Sequence, residues 1–191
     1  MFRFKDVNRQ YQAMACDRRD FLRVGSGIAA SLMLPAGFAR AASHNERSLG
    51  FYNTHTGEQL TTCYWTEGDY LQEGLQQINS ILRDHRTGEV YDMDRGLLDL
   101  LYLLQSHVES TQSFQIISGY RSPKTNAMLN RKSSGVAKRS YHMQGKAIDI
   151  RLNGCDLNKL HKAALSLKAG GVGYYPSSDF IHVDIGRVRR W

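Results

Sequence analysis

Ser140-Tyr-His-Met-Gln-Gly-Lys-Ala-Ile-Asp149, followed by Ile150, is the stretch on which the fold turns. Ala147-Ile-Asp-Ile150 alternates as a strand, with Ala147 and Asp149 on one face and Ile148 and Ile150 on the other. Gly145 permits a tight turn before it, so His142 falls on the incoming loop and Asp149 on the outgoing strand. Phe180-Ile-His-Val-Asp-Ile185 reads as a second strand, with His182 and Asp184 sharing a face. Between the two, Asp156 caps a helix through Leu157, Leu160, Ala164 and Leu167, which Gly170-Gly171 stops, and Gly171–Tyr175 forms another strand.

Upstream, Phe114-Gln-Ile-Ile-Ser118 is a strand, Gly119-Tyr-Arg-Ser122 a turn, and Ser122-Pro123 the opening of a helix that Ser133-Ser-Gly135 breaks. Two earlier helices are expected to pack together. One starts near Thr66, carries Leu71, Leu75, Ile78 and Leu82, and ends at His85–Gly88; the other starts at Asp94 with Leu97, Leu98, Leu101 and Leu104 inward. Residues 42–63 are polar and read as an extended arm with a hairpin around His55–Gly57. Helices followed by short strands around one inserted helix predict a single α+β domain with a mostly antiparallel sheet over residues 42–191.

The chain has 191 residues, with 25 basic and 18 acidic side chains for a formal charge of +7. Seven of those bases and three of those acids fall within residues 1–41, which leaves 18 against 15, or +3, for the remainder. So mild an excess argues against nucleic-acid binding. Residues 1–41 read as an export signal: Asp17-Arg-Arg-Asp-Phe-Leu-Arg23 precedes an uncharged Gly/Ala-rich run from Val24 to Phe38, and Ala39-Arg-Ala41 offers small residues for cleavage. The run is shorter than the roughly 20 residues of a membrane span. The Arg-Arg-x-Phe-Leu pattern resembles a twin-arginine signal, which implies a folded protein delivered to the periplasm, with no stable span after cleavage. A monomer is expected. Cys16 would leave with the signal; Cys63 and Cys155 would either pair or remain thiols.

Asp149 within Ala-Ile-Asp-Ile is hard to explain as an isolated buried carboxylate, because burying the charge alone is costly. Coordination to a cation removes that cost. His182 stands in a similarly apolar run. Two imidazoles and a carboxylate, His142, Asp149 and His182, suit a tetrahedral Zn²⁺ with its fourth position open, as in catalytic sites. Taken singly, a strand histidine is more often a satisfied core residue than a ligand, and a strand aspartate can simply occupy an exposed edge. Asp184 can bond the ring of a ligand, orient a water or act as a base.

Several blocks in order carry a family resemblance: Ser118-Gly-Tyr-Arg-Ser-Pro-Lys-Thr-Asn126, Ser140–Asp149, Gly170-Gly-Val-Gly-Tyr-Tyr175, Phe180-Ile-His-Val-Asp-Ile-Gly186 and Arg190-Trp191. Over about residues 60–191 the chain resembles the DUF882 branch of the M15 zinc peptidases, which is related to murein endopeptidases and D-Ala-D-Ala carboxypeptidases. The resemblance implies a Hedgehog/DD-peptidase-like fold, peptidoglycan peptides as substrate, and His142, Asp149 and His182 as zinc ligands. It implies Arg121 beside the substrate, polarising the scissile carbonyl. Better-known relatives place a glutamate three residues before the last histidine, where this chain has Asp179, and often His-x-His where this chain has His182-x-Asp184. Asp184 and Asp179 are thus both candidate catalytic carboxylates, Asp184 slightly favoured. A non-catalytic zinc domain that binds wall peptides is the alternative. Neither the cross-link cut nor an endopeptidase rather than a carboxypeptidase follows from these residues.

Overall fold

The row Ser118, Asp149, His182 and Gly173 runs straight across four neighbouring strands, because Asp149 is the register partner of both Ser118 and His182, and His182 is the partner of Gly173. In the computed structural model, which describes residues 46–133 and 135–191, these strands form the middle of one eight-stranded sheet. The strands are β1 (Glu46–Asn53), β2 (Gln59–Thr66), β3 (Asp69–Tyr70), β4 (Phe114–Ser118), β5 (Ala147–Leu152), β6 (Gly171–Tyr175), β7 (Phe180–Asp184) and β8 (Arg189–Arg190), in the order β3-β2-β1-β4-β5-β7-β6-β8. All pairings are antiparallel except β1–β4 and β6–β8. The helices are α1 (Gln72–Ile81), α2 (Arg95–His107), α3 (Pro123–Lys132) and α4 (Leu157–Leu167). The α+β class with a mostly antiparallel sheet is therefore as expected.

Alternation builds the core. Phe51, Phe114, Ile116, Ile148, Ile150, Ile181 and Val183 are all buried on the sheet. The helices meet them with Ile78, Leu82, Leu97, Leu98, Leu101, Leu104 and Leu160. α1 lies on β2 and α4 over β5, β6 and β7, while α2 contacts α4 and β1. Gly74 lets α1 approach β2: a Cβ there would stand 2.1 Å from the Cys63 carbonyl oxygen. The caps at Asp94, Ser122 and Asp156 form as read, each side chain accepting from a backbone N–H of the first turn.

Two elements depart from expectation. The hairpin expected around His55–Gly57 is there, but from Glu46 onward the rest of the supposed arm is two full strands of the sheet, with Thr61 and Thr62 on a half-exposed strand rather than in a loop. The helix expected from Thr66 begins at Gln72, because Thr66 ends β2 and Glu67-Gly68, both with positive φ, turn the chain into β3. Cys63 and Cys155 are free thiols. The expected signal, residues 1–41, lies outside the described residues. No helix among the described residues is long and apolar enough to cross a membrane.

Candidate metal centre

His142 belongs to a short 3₁₀ turn, Tyr141–Gln144, capped by the Ser140 hydroxyl, which accepts from the His142 N–H. Gly145 ends it in the left-handed region at φ 65°, where a side chain would also strike the Asp92 carbonyl oxygen at 2.4 Å. This turn folds His142 back over β5, and its ring is buried. Its Nδ1 lies 2.7 Å from the Gly119 carbonyl oxygen. A carbonyl only accepts, so Nδ1 carries the proton and Nε2 is left as a bare lone pair.

That lone pair faces two other groups. His142 Nε2 is 3.3 Å from Asp149 Oδ1 and 3.3 Å from His182 Nδ1, and His182 Nδ1 is 2.8 Å from Asp149 Oδ1. The second ring nitrogen of His182 lies 3.0 Å from Asp184 Oδ2, to which it donates. Three potential electron-pair donors therefore converge at a spacing that can hold a shared cation. Atoms at the corners of a tetrahedron with bonds of about 2.0–2.1 Å to zinc stand about 3.3 Å apart. Two of the three separations match and the third is shorter, so the donor set fits such an ion by chemistry and spacing.

The three groups also shift one another's ionisation. Burial pushes the His142 imidazole below its ordinary value, against the pull of Asp149. Burial works the same way on His182, but its bonds to Asp149 and Asp184 outweigh it and raise the ring. Burial would raise Asp149, yet the two imidazoles hold it well below the usual carboxylate range.

Arg121 joins the cluster directly. Its Nη2 donates to Asp149 Oδ2 at 2.7 Å and its Nε to the Ser118 hydroxyl at 2.9 Å. The turn after it is tied down by Asp84, a buried carboxylate that accepts from the Ser122 N–H at 2.9 Å and the Arg86 N–H at 2.9 Å.

The two candidate catalytic carboxylates occupy different surroundings. Asp184 is fully buried. It accepts from the N–H groups of Gly171 and Gly186, from His182, and from both terminal nitrogens of Arg189, at 2.6–3.1 Å. Asp179 sits in the turn before β7 at φ 52°, is largely exposed, and pairs with Arg151 at 2.9 Å. It lines a separate depression with Arg151, Asn153 and Cys155 rather than the cleft over the cluster.

That cleft has a volume of about 480 Å³. Arg121, Tyr141, His142, Asp149 and His182 form its floor and sides, with Ser133, residues 135–137, Arg139 and Ser140 on one rim and Tyr175, Phe180, Arg189 and Trp191 on the other. Tyr141 and Tyr175 line the cleft, whereas Tyr174 stacks on His161 at 4.6 Å. Trp191 fills the space that Gly173 leaves, donates to the Tyr175 hydroxyl at 2.7 Å, and stands 5.3 Å from the His182 ring. Sequence reasoning missed Arg189. Its only local trace was Gly171, where a Cβ would lie 2.4 Å from the Arg189 guanidinium and 2.5 Å from Asp184.

Comparison with known proteins matches this arrangement to a family. Residues 41–191 match the family model Peptidase_M15_2, described as "Peptidoglycan L,D-endopeptidase MepK". The chain is 42% identical over 176 residues to the peptidoglycan L,D-endopeptidase MepK of Escherichia coli strain K12, covering 92% of this chain and 97% of that protein. It is 40% identical over 177 residues to the "Probable peptidoglycan L,D-endopeptidase MepK" of Haemophilus influenzae, covering 92% of this chain and 95% of that protein. With its buried His-Asp-His cluster at the floor of an open cleft, the chain belongs to the Peptidase_M15_2 family.

Proposed function

We propose that the chain is a zinc-dependent endopeptidase that hydrolyses L,D-cross-links of peptidoglycan in the periplasm, after export by the twin-arginine-type signal at residues 1–41. The observation that carries this reading is the convergence of His142 Nε2, Asp149 Oδ1 and His182 Nδ1 beneath an open cleft. The two close relatives, named as L,D-endopeptidases and matched over nearly their whole length, support the bond type.

His142, Asp149 and His182 are the residues that would hold the ion. Zinc so bound supplies a Lewis acid that brings a water near its deprotonation point and polarises an amide carbonyl. Around it, the protein fixes direction and charge. The Gly119 carbonyl holds the tautomer and tilt of His142, and Asp184 does the same for His182. Asp184 is assigned here as a positioning carboxylate: it is closed to the cleft and already engaged by five donors. Asp179 is assigned to the Arg151 pair. Arg121 steadies Asp149 while its guanidinium lines the cleft, placing a fixed positive charge where oxyanion character develops. Arg121→Ala is expected to lower turnover about a hundredfold while zinc content at saturating metal is kept; an equal loss of both would remove its catalytic assignment. The chain's own aromatic rim suits a peptide substrate that presents methylene chains.

Digestion of purified peptidoglycan by the chain lacking residues 1–41, with and without a chelator, tests the reading. Mass analysis should show L,D-cross-linked dimers converted to monomers, inhibited by the chelator and restored by zinc. Release of single C-terminal residues would instead indicate a carboxypeptidase. Binding of wall peptides with no cleavage would indicate a non-catalytic domain.

A further inference from the structure

Three arginines line the cleft, and two of them are committed: Arg121 to Asp149 at 2.7 Å and Arg189 to Asp184 at 2.6 Å. Arg139 is exposed and has no acidic partner among the described residues. It is carried on a rim that the protein builds from beneath. Buried Asn126, on α3, donates through Nδ2 to the carbonyls of Ala137 at 3.0 Å and Lys138 at 3.3 Å. One turn on, Asn130 holds the carbonyl of Val136. Two side chains of one helix face thus pin three consecutive carbonyls immediately before Arg139. The backbone beneath Arg139 is thereby set, and its guanidinium is the cleft's uncommitted positive charge.

We propose that Arg139 is a substrate-binding residue that holds a free carboxylate of the cross-linked peptide, so that the cleft selects peptides with an unblocked acid near the cut bond. The inference rests on the endopeptidase reading and adds to it a specific recognition contact. The chemistry of the substrate class supplies the ligand. The amine of an L,D-cross-link belongs to a D-centre that also bears a carboxylate, and the stem ends in another. A guanidinium fork binds a carboxylate through two parallel N–H donors, which a lysine reproduces only as a point charge. A charge-assisted contact of this kind is equivalent to roughly ten- to a hundredfold in binding.

The test uses three synthetic dimers joined by an L,D-cross-link: one with all carboxylates free, one with the D-centre carboxylate as its carboxamide, and one with the terminal carboxylate as its carboxamide. Binding to the zinc-loaded wild type, Arg139→Gln and Arg139→Lys is read by titration calorimetry on versions of the three dimers whose cross-link amide is replaced by a non-cleavable ketomethylene group, and KM and kcat by product release from the amide dimers. The wild type should bind one of the two blocked dimers about tenfold or more weakly than the free one, and that dimer identifies the carboxylate held. Arg139→Gln should lose the preference, with its deficit in KM rather than kcat, and Arg139→Lys should regain part of it. Equal binding of all three dimers by the wild type, or an undiminished preference in Arg139→Gln, overturns the proposal. A wild type that keeps the preference but cuts none of the dimers overturns the endopeptidase reading alone, because binding is measured without turnover.

Discussion

Two buried carboxylates, one on a helix against β1–β3 and one on β5, show how the same group serves opposite ends. Asp99, on α2, accepts from Arg47 at 2.8 Å, from the Tyr64 hydroxyl at 3.0 Å and from the Tyr70 hydroxyl at 2.6 Å. All its neighbours are donors, and the network is complete as it stands. Asp149 meets Arg121 on one oxygen, but its other oxygen faces two imidazole nitrogens, one of them a bare acceptor. The first arrangement holds β1, β2, β3 and α2 together. The second, on the proposed reading, is completed by a cation. The partners' donor or acceptor character, rather than burial or charge, separates scaffold from metal centre.

The largest expected effect breaks the second network. Alanine at His142, Asp149 or His182 should abolish cross-link cleavage and reduce bound zinc, measured by elemental analysis, to background. Zinc retained at one per chain in all three variants would place the metal elsewhere.

Breaking the first network should affect stability and not metal. Asp99→Ala leaves the Arg47 charge without its partner, and unfolding by denaturant should register a loss of about 3 kcal/mol. Zinc stoichiometry should stay that of the wild type, because Asp99 touches none of the three donors. A variant that lost zinc while remaining as stable as the wild type would undo the contrast between the two carboxylates.

An intermediate effect is expected at Asp184→Asn. The amide cannot accept from every donor that the carboxylate serves, and His182 loses its fixed partner. Zinc affinity, read by chelator competition, should fall about ten- to a hundredfold. Unchanged affinity would deny Asp184 its positioning role.

The smallest expected effect is a pH dependence in the Asp99 network. Burial pushes the Tyr70 phenol up, and its hydrogen bond to Asp99 raises it further, to about 12 from an ordinary 10.0. The unfolded chain therefore ionises first as pH rises. The stabilisation is whole below pH 10 and is lost between there and about pH 12. Tyr70→Phe should show a shallower alkaline decline in unfolding free energy than the wild type. Identical slopes would mean that Tyr70 ionises freely in the fold.

Much of the metal centre was legible because its signals are local. Asp149 and His182 betray themselves by interrupting period-2 apolar runs, and Gly145 marks the turn that returns His142 to them. The family resemblance added Arg121. Arg189 was not legible, because its role arises from β8 pairing in parallel with β6 and bringing residue 189 against Gly171. No periodicity announces a two-residue strand. The extent of β1 and β2 beyond the expected hairpin was hidden for another reason: three threonines and a glutamine on the half-exposed β2 look like loop composition until the pairing with β1 is known. Leu71 fitted the helical stripe of Leu75, Ile78 and Leu82, which drew the predicted helix start too early; it is the N-cap and partly exposed.

Anomalous diffraction at the zinc edge, from crystals of the zinc-loaded protein that also cleaves L,D-cross-linked dimers, tests the account at its centre. One peak should appear within bonding distance of His142 Nε2, Asp149 Oδ1 and His182 Nδ1 together. Active protein whose zinc lay elsewhere, or that carried none, would contradict it.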